Sequence, residues 1–195
     1  VGNPGGKRYP LPVGANLIKD DANMRYFTFY WKNKTYKENK QYEGFINFWH
    51  TGDRFIKRGI EKNDFVYSLT VIKGRLYPIS CLQVDEIISY DELERRLGPK
   101  LAQYWVSSRY LWAKKATALS FHRVVPAEKV KELSFNSQSG MTSLKFKDKG
   151  ASLLDQQTLR SVRELTEKSA KILDDVLPPL QTVEDYHIEQ WKRSL

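Results

Sequence analysis

The chain has 195 residues, the size of one ordinary domain, and its 41% hydrophobic residues suffice for a single core. With 32 Lys and Arg against 23 Asp and Glu, its formal net charge of +9 favours partners that carry phosphate. No apolar run approaches the roughly 18 residues of a membrane-spanning helix, and a single cysteine excludes an intrachain disulfide. We expect a cytoplasmic protein without a membrane partner and without a cofactor.

The first part of the chain is predicted to be irregular. Residues 1–22 are rich in Gly and Pro, which predicts an N-terminal arm or linker ahead of a domain over residues 23–180. Residues 26–31 form a short aromatic run between polar stretches and predict the first strand. The Lys-rich residues 32–44, interleaved with tyrosine, are typical of a mobile loop that follows a phosphate backbone. A simple solvated surface loop is the alternative.

Two dense β-type runs occupy the centre of the sequence. Residues 65–72 and 76–88 are rich in β-branched and aromatic side chains, and Lys73-Gly74 separates them. This pattern predicts a β-hairpin with a tight turn. Just before it, the aromatic and small polar residues 49–52 adjoin a basic segment, and we expect the binding surface there.

The second half of the sequence mixes short helical and β-type patterns. It predicts a helix over 90–97 that ends at Gly98, β-structure over 116–125, a helical turn over 127–131, a hairpin whose loop is 136–142, a helix over 167–177 capped by Thr166, and a C-terminal helix within 181–195 packed on or extending from the domain. Short strands mixed with short helices predict the α+β class, with a small curled sheet or barrel.

No catalytic or metal-binding constellation is visible in the sequence. The three histidines lie in unrelated contexts, and neither a nucleophile motif, a metal-ligand cluster nor a Gly-rich phosphate loop occurs. Paired carboxylates such as Asp85-Glu86 are most simply surface charges. We therefore expect a protein that is not an enzyme.

The order of the elements resembles a known superfamily. Trp49-His50-Thr51 before a basic segment, the hairpin FVYSLTVIKGRLYPISCLQVDEII, the stretch YLWAKKATALSFHRVVP and the stretch LDQQTLRSVRELTEKSAKIL are together similar to the PUA-like barrels of the EVE and YTH type. The resemblance covers residues 26–177. It implies a small curved β-barrel with peripheral helices that accommodates a flipped, modified nucleobase in an aromatic cage.

The resemblance also implies which residues bind. Trp49 resembles the cage tryptophan of YTH domains, Trp112 a second wall, and Tyr30-Trp31 the opening strand of EVE domains. The expected cage is Trp49, Trp112, Trp31 and Trp105. The candidates for contacts to the base edge are Asn47, Thr51, Asp53 and Ser80. The candidates for phosphate contacts are Arg54, Lys57, Arg58, Lys114 and Lys115, because they flank two of the tryptophans.

Binding of a flipped base needs both stacking on aromatic rings and contacts to phosphate. Flipping a base costs a few kcal/mol, and stacking it on aromatic rings returns about 1–3 kcal/mol, so phosphate contacts must supply the remaining affinity. The expected partner is modified nucleic acid with a methylated adenine or cytosine, DNA ahead of RNA, and an effector domain or subunit is a further expected partner. Two alternatives stay open: a nucleic-acid-processing enzyme of the ASCH type that uses Lys115, Tyr110 and Asp53, and a protein-interaction or regulatory domain.

Overall fold

The computed structural model describes residues 24–50, 52–98, 107–148, 150 and 152–183, and only the backbone of Trp49, His50, Gly52 and Asp53. The strands are β1 (Tyr26–Tyr30), β2 (Phe48–His50), β3 (Phe65–Ile72), β4 (Arg75–Ile88), β5 (Tyr110–Thr117), β6 (Ser134–Ser137), β7 (Gly140–Ser143), β8 (Arg163–Leu165) and β9 (Leu180–Thr182). The helices are α1 (Asn33–Asn39), α2 (Gly52–Lys57), α3 (Tyr90–Leu97), α4 (Ala127–Glu132) and α5 (Glu167–Asp174), with a 3₁₀ turn at Gln156–Leu159.

The strands form one mixed sheet. Their order is β2-β5-β4-β3-β1-β8-β6-β7, and β9 pairs with β5. The β1–β3 pair is parallel, while the other pairs are antiparallel. The predicted α+β class is confirmed. Within the described ranges no pairing joins the end strands β2 and β7, so the sheet is open and the expected closure into a barrel is not observed.

The central hairpin agrees with its sequence pattern. β3 pairs with the first half of β4, and Lys73 and Gly74 form the connection. Both residues have positive φ, 50° and 77°, as a two-residue turn of type I′ requires. A Cβ on Gly74 would lie 2.8 Å from Cδ2 of Leu153, so this position needs glycine for space as well as for its backbone angle.

Two predicted helices are confirmed, α3 over its predicted range and α5 over Glu167–Asp174 rather than 167–177. Ser89 caps α3 by accepting a hydrogen bond from the backbone N–H of Glu92, and Leu93 is buried on the inner face. Thr166 caps α5 in the same way by accepting from the N–H of Ser169. The helical turn predicted over 127–131 is also present as α4, which follows Pro126 and has no side-chain cap.

Three predictions were wrong in type or extent. Residues 32–44 contain α1 rather than only a loop, because Tyr36 packs on Phe121 and donates a hydrogen bond to its carbonyl oxygen. The strand predicted over 116–125 begins earlier and ends at Thr117. The hairpin loop predicted over 136–142 is shorter, since β6 and β7 take up most of it.

Apolar residues cover both faces of the central strands. Tyr67, Leu69 and Val71 of β3 enter one buried cluster, and the intervening Val66 enters a second cluster with Phe27. Because both faces of β3 are covered, its polar residues Ser68 and Thr70 are buried together with its apolar ones. None of the helices in the described ranges has the length and apolar content needed to cross a bilayer.

The sheet continues past the expected end of the domain. The proposed boundary at residue 180 falls inside β9, which pairs with the outer edge of β5 through residues 180–182. Residues 1–22 and the helix expected within 181–195, from residue 184 on, lie outside the described residues.

Candidate functional site

A polar groove of about 830 Å³ lies between the end of α2 and the β6–β7 hairpin. This volume falls in the range of about 300–1,000 Å³ that is usual for ligand sites. Its lining residues share exposed polar side chains, and they are Lys57, Arg58, Asn136, Ser137, Gln138, Ser139 and Glu164. The groove therefore contains two of the cations that the sequence analysis assigned to phosphate.

Aromatic packing fixes α2 on one face of the sheet. Phe55 is fully buried, and its ring meets Phe27 of β1 edge-on at 6.4 Å and stacks on Phe29 at 6.0 Å. Since one face of this short helix is anchored on β1, its last residue Lys57 and the following Arg58 lie at the rim of β8, the neighbour of β1.

Strand register supplies the opposite wall. Glu164 of β8 pairs with Phe27 on one side and with Asn136 of β6 on the other. Directly paired residues share a sheet face, so Glu164 and Asn136 lie on the face that carries α2. Leu165 and Phe135, one position along, are buried in the cluster on the other face. Alternation along β6 and β8 therefore separates the groove from the core.

An ion pair holds the chain that follows α2. The guanidinium of Arg25 donates to the backbone oxygens of Arg58 and Gly59 and to the carboxylate of Asp64. Asp64 is buried and also accepts from the backbone N–H groups of Arg25 and Glu61, at 3.0 and 2.8 Å. The backbone of Arg58 is thus fixed, while its side chain is exposed.

The charges of the groove are unequally distributed. Lys57 and Arg58 stand on the helix side, and Glu164 is the single acidic residue among the described lining. The side chain of Arg58 has no hydrogen-bond or ion-pair partner among the described residues. Burial, and then the positive charge of Arg58, lower the pKa of the neighbouring Arg163, whose guanidinium packs on Phe135. An anion on the helix side would relieve this repulsion.

The predicted aromatic cage is not formed by the described tryptophans. Trp112 is 7% exposed, stacks on Phe48 and lies beneath the guanidinium of Arg96, 4.7 Å from the ring centre. Trp31 is 2% exposed and packs against Phe121. Both rings fill the core, where tryptophan has a large area to bury, and neither is accessible to a base.

The other two cage candidates lie beyond what the structure describes. The backbone of Trp49 pairs with Leu111, one position from the Phe48–Trp112 pair. The side chain of Trp49 and the whole of Trp105 lie outside the described residues.

The two described candidates for contacts to a base edge, Asn47 and Ser80, do not line the groove. Asn47 is buried and donates its side-chain amide to the backbone oxygen of Ala113, and Ser80 is buried in β4 beside Ser68. Both assignments were wrong because the two side chains belong to the interior of the sheet. Thr51 and the side chain of Asp53 lie outside the described residues.

The predicted phosphate contacts divide into two groups. Lys57 and Arg58 line the groove, whereas Arg54, exposed on α2, is not among its lining residues. Lys114 and Lys115 are exposed on β5, four strands away from β8 in the sheet. Lys114 binds the carboxylate of Asp85 at 2.9 Å, so part of its charge is neutralised within the protein.

The residues of the enzymatic alternative do not converge. Tyr110 is fully buried, and its hydroxyl accepts a hydrogen bond from the N–H of Ser107 at 2.7 Å. Lys115 is exposed five positions along the same strand, roughly 17 Å away at 3.3–3.4 Å per residue. Within the described part of the chain, no group of three His, Cys, Asp or Glu residues is placed to hold a metal ion.

Five of the groove residues were not predicted from the sequence as binding residues. Asn136 to Ser139 appeared only as a polar hairpin loop, and Glu164 was one charge in the stretch before α5. The Ser/Asn/Gln-rich composition of the loop was a weak signal for a binding surface. Its position opposite Lys57 depends on the pairing of β8 with β1 and β6, which the sequence does not indicate.

Comparison with known proteins identifies no relative: no family model, curated protein or solved structure matches the chain.

Proposed function

We propose that the protein is a non-catalytic module that binds nucleic acid through the groove between α2 and the β6–β7 hairpin. The observation that supports this proposal is the pairing of a cationic wall with a wall of amide and hydroxyl groups. Phosphate oxygens are bound by Lys and Arg and by neutral polar side chains, and such contacts position a nucleic acid on a protein.

The overall charge supports the same proposal. A net charge of +9 raises the local concentration of polyanions around the molecule and increases their rate of association. Arg58 is a suitable contact because its side chain has no competing acidic partner among the described residues. Binding an anion at Arg58 therefore breaks no internal ion pair in this part of the chain.

Two further proposals concern the fold family of the protein and the modification of its nucleic-acid partner. We propose a PUA-like origin, which the long bent strand β4 supports, since it pairs with β3 and then, across register shifts, with β5. We also propose that the partner carries a methylated base. With Trp31 and Trp112 in the core, Trp49 and Trp105 remain as candidates for the stacking rings.

Fluorescence anisotropy with labelled oligonucleotides tests the binding proposal. Single- and double-stranded DNA and RNA, with and without methylated bases, are titrated at about 50 and 200 mM salt. Affinity is expected to fall steeply with salt. Replacing Lys57 and Arg58 together by Ala should weaken binding about 10-fold and reduce the slope of log K against log salt by ~1.4 for a single strand, since each phosphate contact contributes about 0.7.

A charge-matched variant is the control for this experiment. Lys34 and Lys37 are exposed on α1, so replacing both by Ala removes the same charge outside the groove. If both double variants weaken binding equally, the groove is not the site; if no oligonucleotide binds, the proposal as a whole fails. Trp49→Ala tests the proposal of a methylated base, because this substitution should reduce the preference for methylated over unmethylated strands.

A further inference from the structure

The acidic wall of the groove is organised as a hydrogen-bond acceptor. The side-chain amide of Asn136 donates to Oε1 of Glu164 at 3.0 Å and approaches the backbone oxygen of Leu165 at 3.5 Å. This contact orients the carboxylate. Its second oxygen, Oε2, accepts no hydrogen bond from the residues that the structure describes, and Glu164 itself is only partly buried. An oriented acceptor therefore lines a groove in which the other charged residues of the described lining are cations.

A carboxylate in this position repels the phosphate of a nucleotide and attracts an amino group of its base. It repels phosphate, which is attracted instead to Lys57 and Arg58 on the helix side. It accepts hydrogen bonds from the exocyclic amino group of a base, as Asp and Glu do from N4 of cytosine. Uracil and thymine present a carbonyl oxygen at the corresponding position, and two acceptors facing each other are unfavourable.

We propose that the groove selects an unpaired nucleotide whose base carries an exocyclic amino group, with Glu164 as the specificity-determining residue. The base amino group lies at Oε2 of Glu164, and the adjacent phosphate lies at Lys57 and Arg58. This inference rests on the proposed nucleic-acid binding and adds a substrate class to it.

The shape and lining of the groove favour an unpaired nucleotide. A concave site between a helix and a hairpin admits a base that has left its stack, as in the recognition of single-stranded loops and ends. The described lining contains no aromatic ring, and its carboxylate, amide and hydroxyl groups can form hydrogen bonds with the edge of a base. Stacking platforms tolerate any base, whereas a hydrogen-bonding site distinguishes among them.

Single-stranded homopolymers test the inference. The wild-type protein is expected to bind oligo(dC) and oligo(dA) about 10-fold more tightly than oligo(dT) at equal length and salt. Glu164→Gln preserves the size of the side chain but replaces the acceptor Oε2 by an NH2 group that only donates, so the ratio should fall to about 2-fold. Binding of oligo(dT) should become tighter, because a negative charge is removed.

A matched carboxamide variant controls for the change in net charge. Glu128→Gln removes one exposed carboxylate on α4, outside the groove lining, and should leave the base preference unchanged. Thermal melting of all variants shows that they are folded. The preference ratio is a readout that a merely structural role of Glu164 would not alter.

The outcomes separate this inference from the function on which it rests. If the wild type shows no base preference, or if Glu164→Gln keeps it, selection by Glu164 is overturned. A loss of affinity on replacing Lys57 and Arg58 would in that case still support the groove as a general nucleic-acid site. Absence of binding to every homopolymer overturns both proposals.

Discussion

The surroundings of Trp112 and the groove beside Glu164 both combine arginine with acidic and polar side chains. They differ in whether the charge of the arginine is paired within the protein. At Trp112, Arg96 covers the indole and is paired with Glu86 at 2.9 Å and with Glu92. In the groove, the side chain of Arg58 has no such partner within the described residues. Charges satisfied internally stabilise the fold, while an exposed unpaired charge beside a concavity is available to a ligand.

Aromatic content follows the same division. Trp112 stacks on Phe48 in a closed cluster with Leu93, whereas the described lining of the groove is entirely non-aromatic. In the described part of the chain, Trp31 and Trp112 are both core residues. The polar hairpin, not the tryptophan-rich stretch, provides the candidate site.

Replacing Trp112 by Ala should have the largest effect and should fall on stability alone. Removing a buried indole leaves a cavity and is expected to lower the free energy of unfolding by about 3–5 kcal/mol. Urea denaturation measures the loss, and Trp112→Phe should lose less. The comparison of the two regions breaks down if Trp112→Ala remains stable but no longer binds oligonucleotides, since that result would restore the cage.

Replacing Asp64 by Asn should lower both the stability of the fold and the affinity for oligonucleotides, because Asp64 helps to hold the chain that follows α2. The amide removes the charge that Arg25 binds and places a donor against backbone N–H groups, which should lower the free energy of unfolding by about 2 kcal/mol. Because Arg25 also holds the backbone of Arg58 and Gly59, affinity for oligonucleotides should fall as well. Denaturation and anisotropy measure the two effects. The exposed Asp91→Asn on α3 is the control, and unchanged affinity in Asp64→Asn would show that the groove does not need this support.

The smallest effect concerns the ion pairs of Asp85, on the sheet away from the groove. Burial alone would raise the pKa of Asp85, but hydrogen bonds from Lys114 and Lys62, at 2.9 and 3.0 Å, lower it below its ordinary value of 3.8. The ionised form therefore stabilises the fold above that value, and the stabilisation is lost as the pH falls through the lowered pKa.

Asp85→Asn is accordingly expected to cost less than about 1 kcal/mol at neutral pH and still less at a pH well below 3.8. Denaturation curves of the variant and the wild type at both pH values measure the difference. A cost that is the same at both pH values would mean that packing, not charge, explains the role of Asp85.

Features with local causes were predictable from the sequence. The Lys73-Gly74 turn requires positive φ at both positions, and glycine at the second position meets this requirement without strain. The β-type runs on either side indicated a hairpin. Leu93 and Leu97 indicated α3 by their spacing of four residues, and Gly98 indicated its end. The α1 segment was missed because its Lys-rich surface conceals one residue, Tyr36, whose packing on Phe121 occurs 85 positions along the chain.

The candidate site depended on contacts that are distant in sequence. Lys57 and Arg58 were recognisable from their charge and their position after a tryptophan. Glu164 and Asn136 were not, because their role depends on the register of β8 with β1 and β6. Trp112 was misassigned for a related reason: its residue type suits a cage and a core equally, and only its burial distinguishes the two.

The pairing of β1 with β8 has a consequence for biosynthesis. It joins Tyr26 to Leu165, so the two sides of the groove come from segments that leave the ribosome far apart in time. Contacts of such high sequence separation form late and slow the folding of a domain. A nascent chain that has not reached β8 already carries the basic helix but lacks the carboxylate opposite it. The proposed selection of a base by Glu164 would thus be acquired only when translation of the sheet is nearly finished.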